Sequence, residues 1–66
     1  MTITQLNYVL AVAEYKNFTK AAEKSFVTQP TLSMQIQKLE EELDIVIFDR
    51  KSKPLKLTDI GQKIIT

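Results

Sequence analysis

The chain has 66 residues, 44% hydrophobic and 26% charged, with a formal net charge of +1, which fits one small globular domain and not a disordered segment. It contains no cysteine and no histidine, excluding disulfides, thiolate metal sites and catalysis built on an imidazole base. No apolar run reaches the length of a membrane span, and no basic-then-apolar leader opens the chain, so a cytoplasmic protein is expected.

Thr2 and Gln5 have the spacing of a capping box, which predicts a helix start. Leu6, Val9, Leu10 and Ala13 then follow the i, i+3, i+4, i+7 pattern of a helix with one buried face. Asn17 is expected to end this helix, because Asn tolerates the left-handed conformation found there. A short second helix fits "FTKAAEKS", in which Ala21 and Ala22 allow another helix to come close. "FVT" is then long enough only for a turn.

Thr28 is a good N-cap for a third helix, and Pro30 suits its first turn, where no backbone N–H is needed. Leu32, Ile36, Leu39 and Leu43 fall within one arc at about 100° per residue. Pro30, Thr31, Ser33, Met34, Gln37 and Lys38 lie opposite, with Glu41 further along. This helix places neutral polar residues first and Glu40, Glu41 and Glu42 last, against the helix dipole. Helix stability alone does not account for that order.

After Asp44, "IVIF" and "LKL" read as two short strands around "DRKSKP", giving a hairpin with a basic tip, and Arg50, Lys51, Lys53 and Lys56 form one basic block. Thr58 is placed to cap a fourth helix, with Ile60 and Ile64 sharing a face. That helix is unfinished at Thr66, so a longer parent protein is expected. The fold class is therefore mainly α: a winged helix-turn-helix of three helices and a two-stranded wing over residues 1–58, with the start of a further helix over 59–66.

This architecture places the N-terminal part of its third helix in the major groove of DNA. DNA repels carboxylates, which explains acids at the end of the helix that leaves the groove. Gln29, Thr31, Ser33 and Gln35 carry donors and acceptors for base edges or phosphates, and the backbone N–H groups beside them suit a phosphate. Taken singly, each signal has a bland reading: polar residues at a helix start are usually caps, lysines at a turn usually serve solubility, and the acidic block is a solvated helix end. Together, at winged-helix spacing, they favour DNA. The alternative is a winged-helix module that binds protein, separable by its weak response to salt. An enzyme is not expected. No Gly-rich phosphate loop is available, and Ser25, Ser33 and Ser52 lack an activating base. No cofactor or metal is expected either.

The stretches "FTKAAE", "TQPTLSMQIQKLEEEL", "IFDR" and "LTDIG" closely resemble the N-terminal domain of LysR-type transcriptional regulators, over nearly the whole chain. Within that family, "TQPTLS" and the run into "IQKLEEEL" look most like the peroxide-responsive OxyR type. The resemblance implies a bacterial transcription regulator acting on double-stranded DNA at the nucleoid. It also implies a homodimer formed in the full-length parent through the linker helix begun at residue 59, and a C-terminal effector domain outside this chain. It maps DNA contacts to Thr19 and Lys20 on the second helix, to Thr28, Gln29, Pro30, Thr31, Ser33, Met34 and Lys38 on the third, and to Arg50 and Lys53 in the wing. Three positions depart from the family pattern. Met34 stands where Arg is frequent. Asp44 replaces a usual Gly, so the turn must accept a left-handed Asp or another shape. Ser25 occupies a usually larger apolar position.

Overall fold

Each helix begins on a side chain that accepts a hydrogen bond from an otherwise unpaired backbone N–H. Thr2 Oγ1 accepts from Gln5 N at 3.0 Å, and Gln5 Oε1 accepts from Thr2 N at 3.0 Å, completing the expected capping box. Asn17 Oδ1 accepts from Lys20 N at 2.9 Å, Thr28 Oγ1 from Thr31 N at 3.4 Å, and Thr58 Oγ1 from Gly61 N at 3.0 Å. The resulting order is α1 (Ile3–Tyr15), α2 (Phe18–Lys24), α3 (Gln29–Leu43), β1 (Phe48–Asp49), β2 (Lys56–Leu57) and α4 (Asp59–Ile65). The computed structural model describes residues 1–52 and 55–65.

Helix ends follow a second rule. Lys16, Phe26 and Asp44 adopt left-handed backbone conformations, with φ of 52°, 59° and 54°. Behind Asp44 the Ile45 N–H reaches Glu40 O at 3.0 Å and the Asp44 N–H reaches Glu41 O at 3.2 Å, the paired bonds of a Schellman ending. Behind Phe26, Val27 N bonds Ala22 O and Phe26 N bonds Glu23 O in the same way. Asn17, expected to end α1, instead starts α2 in an extended conformation, and Lys16 takes the left-handed place.

The core joins Val9 and Val12 of α1, Ala21 and Ala22 of α2, Leu32, Ile36 and Leu39 of α3, and Ile47 and Phe48. The two alanines let α2 sit close against its neighbours, as their size predicts. On α1 the buried stripe is Gln5, Val9 and Val12, rotated from the expected one, and Leu10 is 43% exposed. Nine of the thirteen α1 residues are apolar or aromatic, so periodicity admits two adjacent stripes. Gln5 helps select between them, because its Nε2 donates to Gln35 Oε1 at 3.4 Å across the α1–α3 contact. Leu43, expected in the α3 arc, is the last residue of its helix and remains exposed, since α3 outruns the core after Leu39.

The hairpin is antiparallel, pairing Phe48 with Leu57 and Asp49 with Lys56. It is shorter than "IVIF" implies. Ile47 is held by other partners: its N–H donates to Glu40 Oε2 at 2.7 Å, and its carbonyl accepts from Thr58 N at 2.9 Å. The Thr58 hydroxyl also donates to the Val46 carbonyl. Gly61 then lets α4 pass directly over Ile47. A Cβ at Gly61 would overlap the Ile47 carbonyl oxygen and lie 3.0 Å from Ile47 Cγ2. This approach turns Gly61, Ile64 and Ile65 inward and leaves Ile60 exposed, so Ile60 and Ile64 do not share a buried face.

Candidate nucleic-acid interface

The sequence of α3 divides its surface by chemistry. Pro30, Thr31, Met34, Gln37 and Lys38 are exposed, Ser33 is half-buried on one flank, and Leu32, Ile36 and Leu39 face the core. No acid occurs from Thr28 to Leu39, so about three turns of α3 present a surface without carboxylates. Met34 is 47% exposed in the middle of it. At the start of the helix, the Thr28 hydroxyl donates to Thr31 Oγ1 at 2.8 Å, leaving the Thr31 proton for an outside acceptor. Gln29 is half-buried at the first helical position. Gln35, expected to reach DNA, is instead committed to Gln5, because it lies on the side of α3 that meets α1.

Arg50 is the link between this face and the hairpin. Its guanidinium turns back onto the body of the domain: Nη1 donates to Ser33 Oγ at 3.3 Å, Nη2 to Glu40 Oε1 at 3.5 Å, and the group stacks 4.8 Å from the Phe18 ring centroid. Phe18 in turn meets Phe48 edge-on, with centroids 5.7 Å apart and planes at 74°. These contacts bring the first turn of α2, the flank of α3 and the base of the wing to one side of the molecule. Thr19 and Lys20 follow Phe18 in that first turn and are exposed. The Lys20 ammonium lies 5.9 Å over the Tyr15 ring. No hydrogen bond or ion pair joins either residue to the α3 group among the described residues. Lys51 and Lys56 are exposed on the hairpin, and Lys53 lies outside the described residues.

Glu40 corrects the reading of the acidic block as a merely solvated end. Its side chain is only 14% exposed. One oxygen accepts from the Ile47 and Phe48 N–H groups at 2.7 and 3.4 Å, and the other takes Arg50. Helical spacing puts Glu40 two turns beyond Ser33 on the same flank, but its partners come from residues 47, 48 and 50. Glu41 and Asp44 remain exposed, and Glu42 pairs with the Met1 amino group at 2.8 Å. At the hairpin turn, Asp49 accepts from the Ser52 hydroxyl at 2.8 Å and from Lys51 N at 3.1 Å. These bonds, the hydroxyl first, hold its carboxyl below the ordinary carboxylate value. Among the described residues, no buried side-chain nitrogen or oxygen lacks a partner and no acidic cluster suits a metal ion. Among the described residues, no helix is long and apolar enough to cross a membrane.

Known proteins share this fold and sequence. Residues 3–62 match the family described as bacterial regulatory helix-turn-helix protein, lysR family. The hydrogen peroxide-inducible genes activator of Haemophilus influenzae is 45% identical over 65 residues, covering 98% of this chain and 22% of that protein. The HTH-type transcriptional regulator BenM of Acinetobacter baylyi is 51% identical over 61 residues, covering 92% of this chain and 20% of BenM. The chain thus spans about a fifth of the length of these relatives. Among solved structures, the BenM DBD/catB site 1 DNA complex superposes with a TM-score of 0.95 at 48% identity, over 98% of this chain and 70% of that one. Relatives of the peroxide-responsive type and of the BenM type match comparably well, so similarity in this domain does not separate the two. With its matched helices, wing and sequence, the chain belongs to the lysR family of bacterial regulatory helix-turn-helix proteins.

Proposed function

We propose that this domain binds double-stranded DNA, with α3 in the major groove and the hairpin wing along the backbone or the neighbouring minor groove. The observation that carries this reading is the carboxylate-free stretch of the outer face of α3, from Thr28 to Leu39, beside a basic wing. Coulomb repulsion from phosphates sorts acids away from such a surface, and here the next acid along α3, Glu40, is paired with Arg50. Gln29, Thr31 and Met34 face the base edges, Gln29 being able to pair with adenine in bidentate fashion. Thr28, Ser33 and Lys38, Thr19 and Lys20 on α2, and Arg50 and Lys53 in the wing set register and affinity. A similar domain has been solved in complex with catB site 1 DNA, which supports DNA as the partner.

In a longer regulator, α4 continues as the linker helix through which two copies pair on a partly palindromic site. The domain acts as a transcription regulator at the chromosome in the cytoplasm, without catalysis of its own. Titration of a mixed-sequence duplex at two salt concentrations tests the reading. Binding that weakens steeply with salt is expected, whereas salt-independent binding would favour a protein-interaction module. On duplexes selected from a random pool, Gln29→Ala should lose about 1–3 kcal/mol of discrimination at one base pair.

A further inference from the structure

The Arg50 side chain joins the face proposed to meet DNA to the wing, and its chemistry dictates how Ser33 is used. A guanidinium carries donors and no acceptor. At 3.3 Å from Arg50 Nη1, Ser33 Oγ therefore accepts. The Ser33 proton is left over, and no acceptor is paired with it among the described residues. Glu40 fixes the other end of the chain, because its second oxygen is anchored by Ile47 N at 2.7 Å. Phe18 supports the guanidinium from beneath at 4.8 Å.

We propose that Arg50 is a positioning residue that, held by Glu40, fixes Ser33 as a hydrogen-bond donor to a DNA phosphate oxygen. This rests on the reading of α3 as the groove helix. The flank of a helix in the major groove meets the groove wall, which is sugar and phosphate, and Ser33 stands on the flank facing the wing. A phosphate oxygen accepts and never donates, so it matches the only proton Ser33 has left. The adjacent guanidinium polarises the hydroxyl and strengthens that donation. Arg50 thereby acts through Ser33, in addition to whatever its charge contributes at long range.

The test is equilibrium binding of a mixed-sequence DNA duplex to the chain and its variants, across a salt series. Ser33→Ala is expected to weaken binding roughly tenfold, the loss of one hydrogen bond to a charged acceptor. Arg50→Lys keeps the charge but loses the planar fork, so it should weaken binding by a similar factor without changing the salt slope. The double variant should bind about as well as either single one, because both remove the same interaction. Ser33→Thr, which keeps the hydroxyl, should restore sensitivity to Arg50→Lys. Thermal melts of each variant identify any that are not folded, and in that event Ser33→Thr with and without Arg50→Lys gives the same comparison. Additive losses from Ser33→Ala and Arg50→Lys would overturn the proposal. So would near-parental affinity in Arg50→Lys combined with a slope reduced by about one in Arg50→Ala, the mark of a direct phosphate contact. If the parent chain itself binds without salt dependence, the DNA reading fails first and this proposal fails with it.

Discussion

Replacing Asp44 by glycine should stabilise the domain, and the size of the gain follows from the end of α3. Asp44 has φ 54° and ψ 45°, a region that costs an L-residue about 1–2 kcal/mol, with Asp toward the low end. It also adds a negative charge where the helix dipole is already negative, an opposition of about 0.3–1 kcal/mol at low salt. Glycine relieves both, but it gives back about 0.4–1 kcal/mol through the greater freedom of the unfolded chain. The net expectation is a gain of about 0.5–1.5 kcal/mol, and each kcal/mol corresponds to about 4–8 °C in Tm for a domain of this size. Melts followed by circular dichroism at low and high salt separate the terms. Asp44→Asn should capture only the charge part and lose that advantage in high salt. Lys16→Gly provides the contrasting case: it relieves the same left-handed strain at the end of α1 but removes a favourable cation, so its gain should be smaller. A lower Tm for Asp44→Gly would refute the reasoning, and a salt-insensitive gain for Asp44→Asn would refute its electrostatic half.

Three further outcomes follow from the same structure. Gly61→Ala should lower Tm by the equivalent of about 1–3 kcal/mol, because the added methyl meets the Ile47 backbone oxygen and the close approach of α4 is lost; an unchanged melt would show that α4 can shift freely. Phe26, 94% exposed at φ 59°, should give a Tm gain on change to Asn of the order of 1 kcal/mol, and a loss would mean that its ring has a partner within the fold. The Asp49 carboxylate has its affinity for protons depressed in the folded state, so its contribution is complete above the ordinary carboxylate range and is lost as pH falls through the folded value. In Ser52→Ala its midpoint, followed by NMR titration, should rise, and an unmoved midpoint would exclude the hydroxyl as the main cause.

Much of the fold was legible because caps and periodicity are local. Thr2, Thr28 and Thr58 announced three helix starts, and the Leu32, Ile36 and Leu39 arc fixed which side of α3 faces inward. The α1 stripe was misplaced because its sequence is apolar on too many sides, and a polar Gln5–Gln35 bond decided the rotation. The hairpin is shorter than the β-branched residues at 45–47 suggest, because Glu40 and Thr58 supply the bonds that a strand partner would. Nothing about a phenylalanine signals the left-handed conformation that Phe26 adopts. In the candidate interface, the outward residues of α3 were readable from helical geometry. The Arg50–Ser33–Glu40 chain was not, because it joins residues 10 and 17 apart in sequence through tertiary packing.

The central claim, that the outer face of α3 lies against DNA, is tested most directly by adding a charge there and comparing it with the same charge elsewhere. Met34 lies on that face, 47% exposed, and Leu10 lies on a different helix, α1, 43% exposed. Each is changed to Arg, and duplex binding is measured across a salt series. The account predicts that Met34→Arg steepens the logarithmic salt slope by about 0.9, one released counterion, and raises affinity for mixed-sequence DNA, while Leu10→Arg leaves the slope as it was. Equal slopes for the two variants, or a steeper one only for Leu10→Arg, would contradict it.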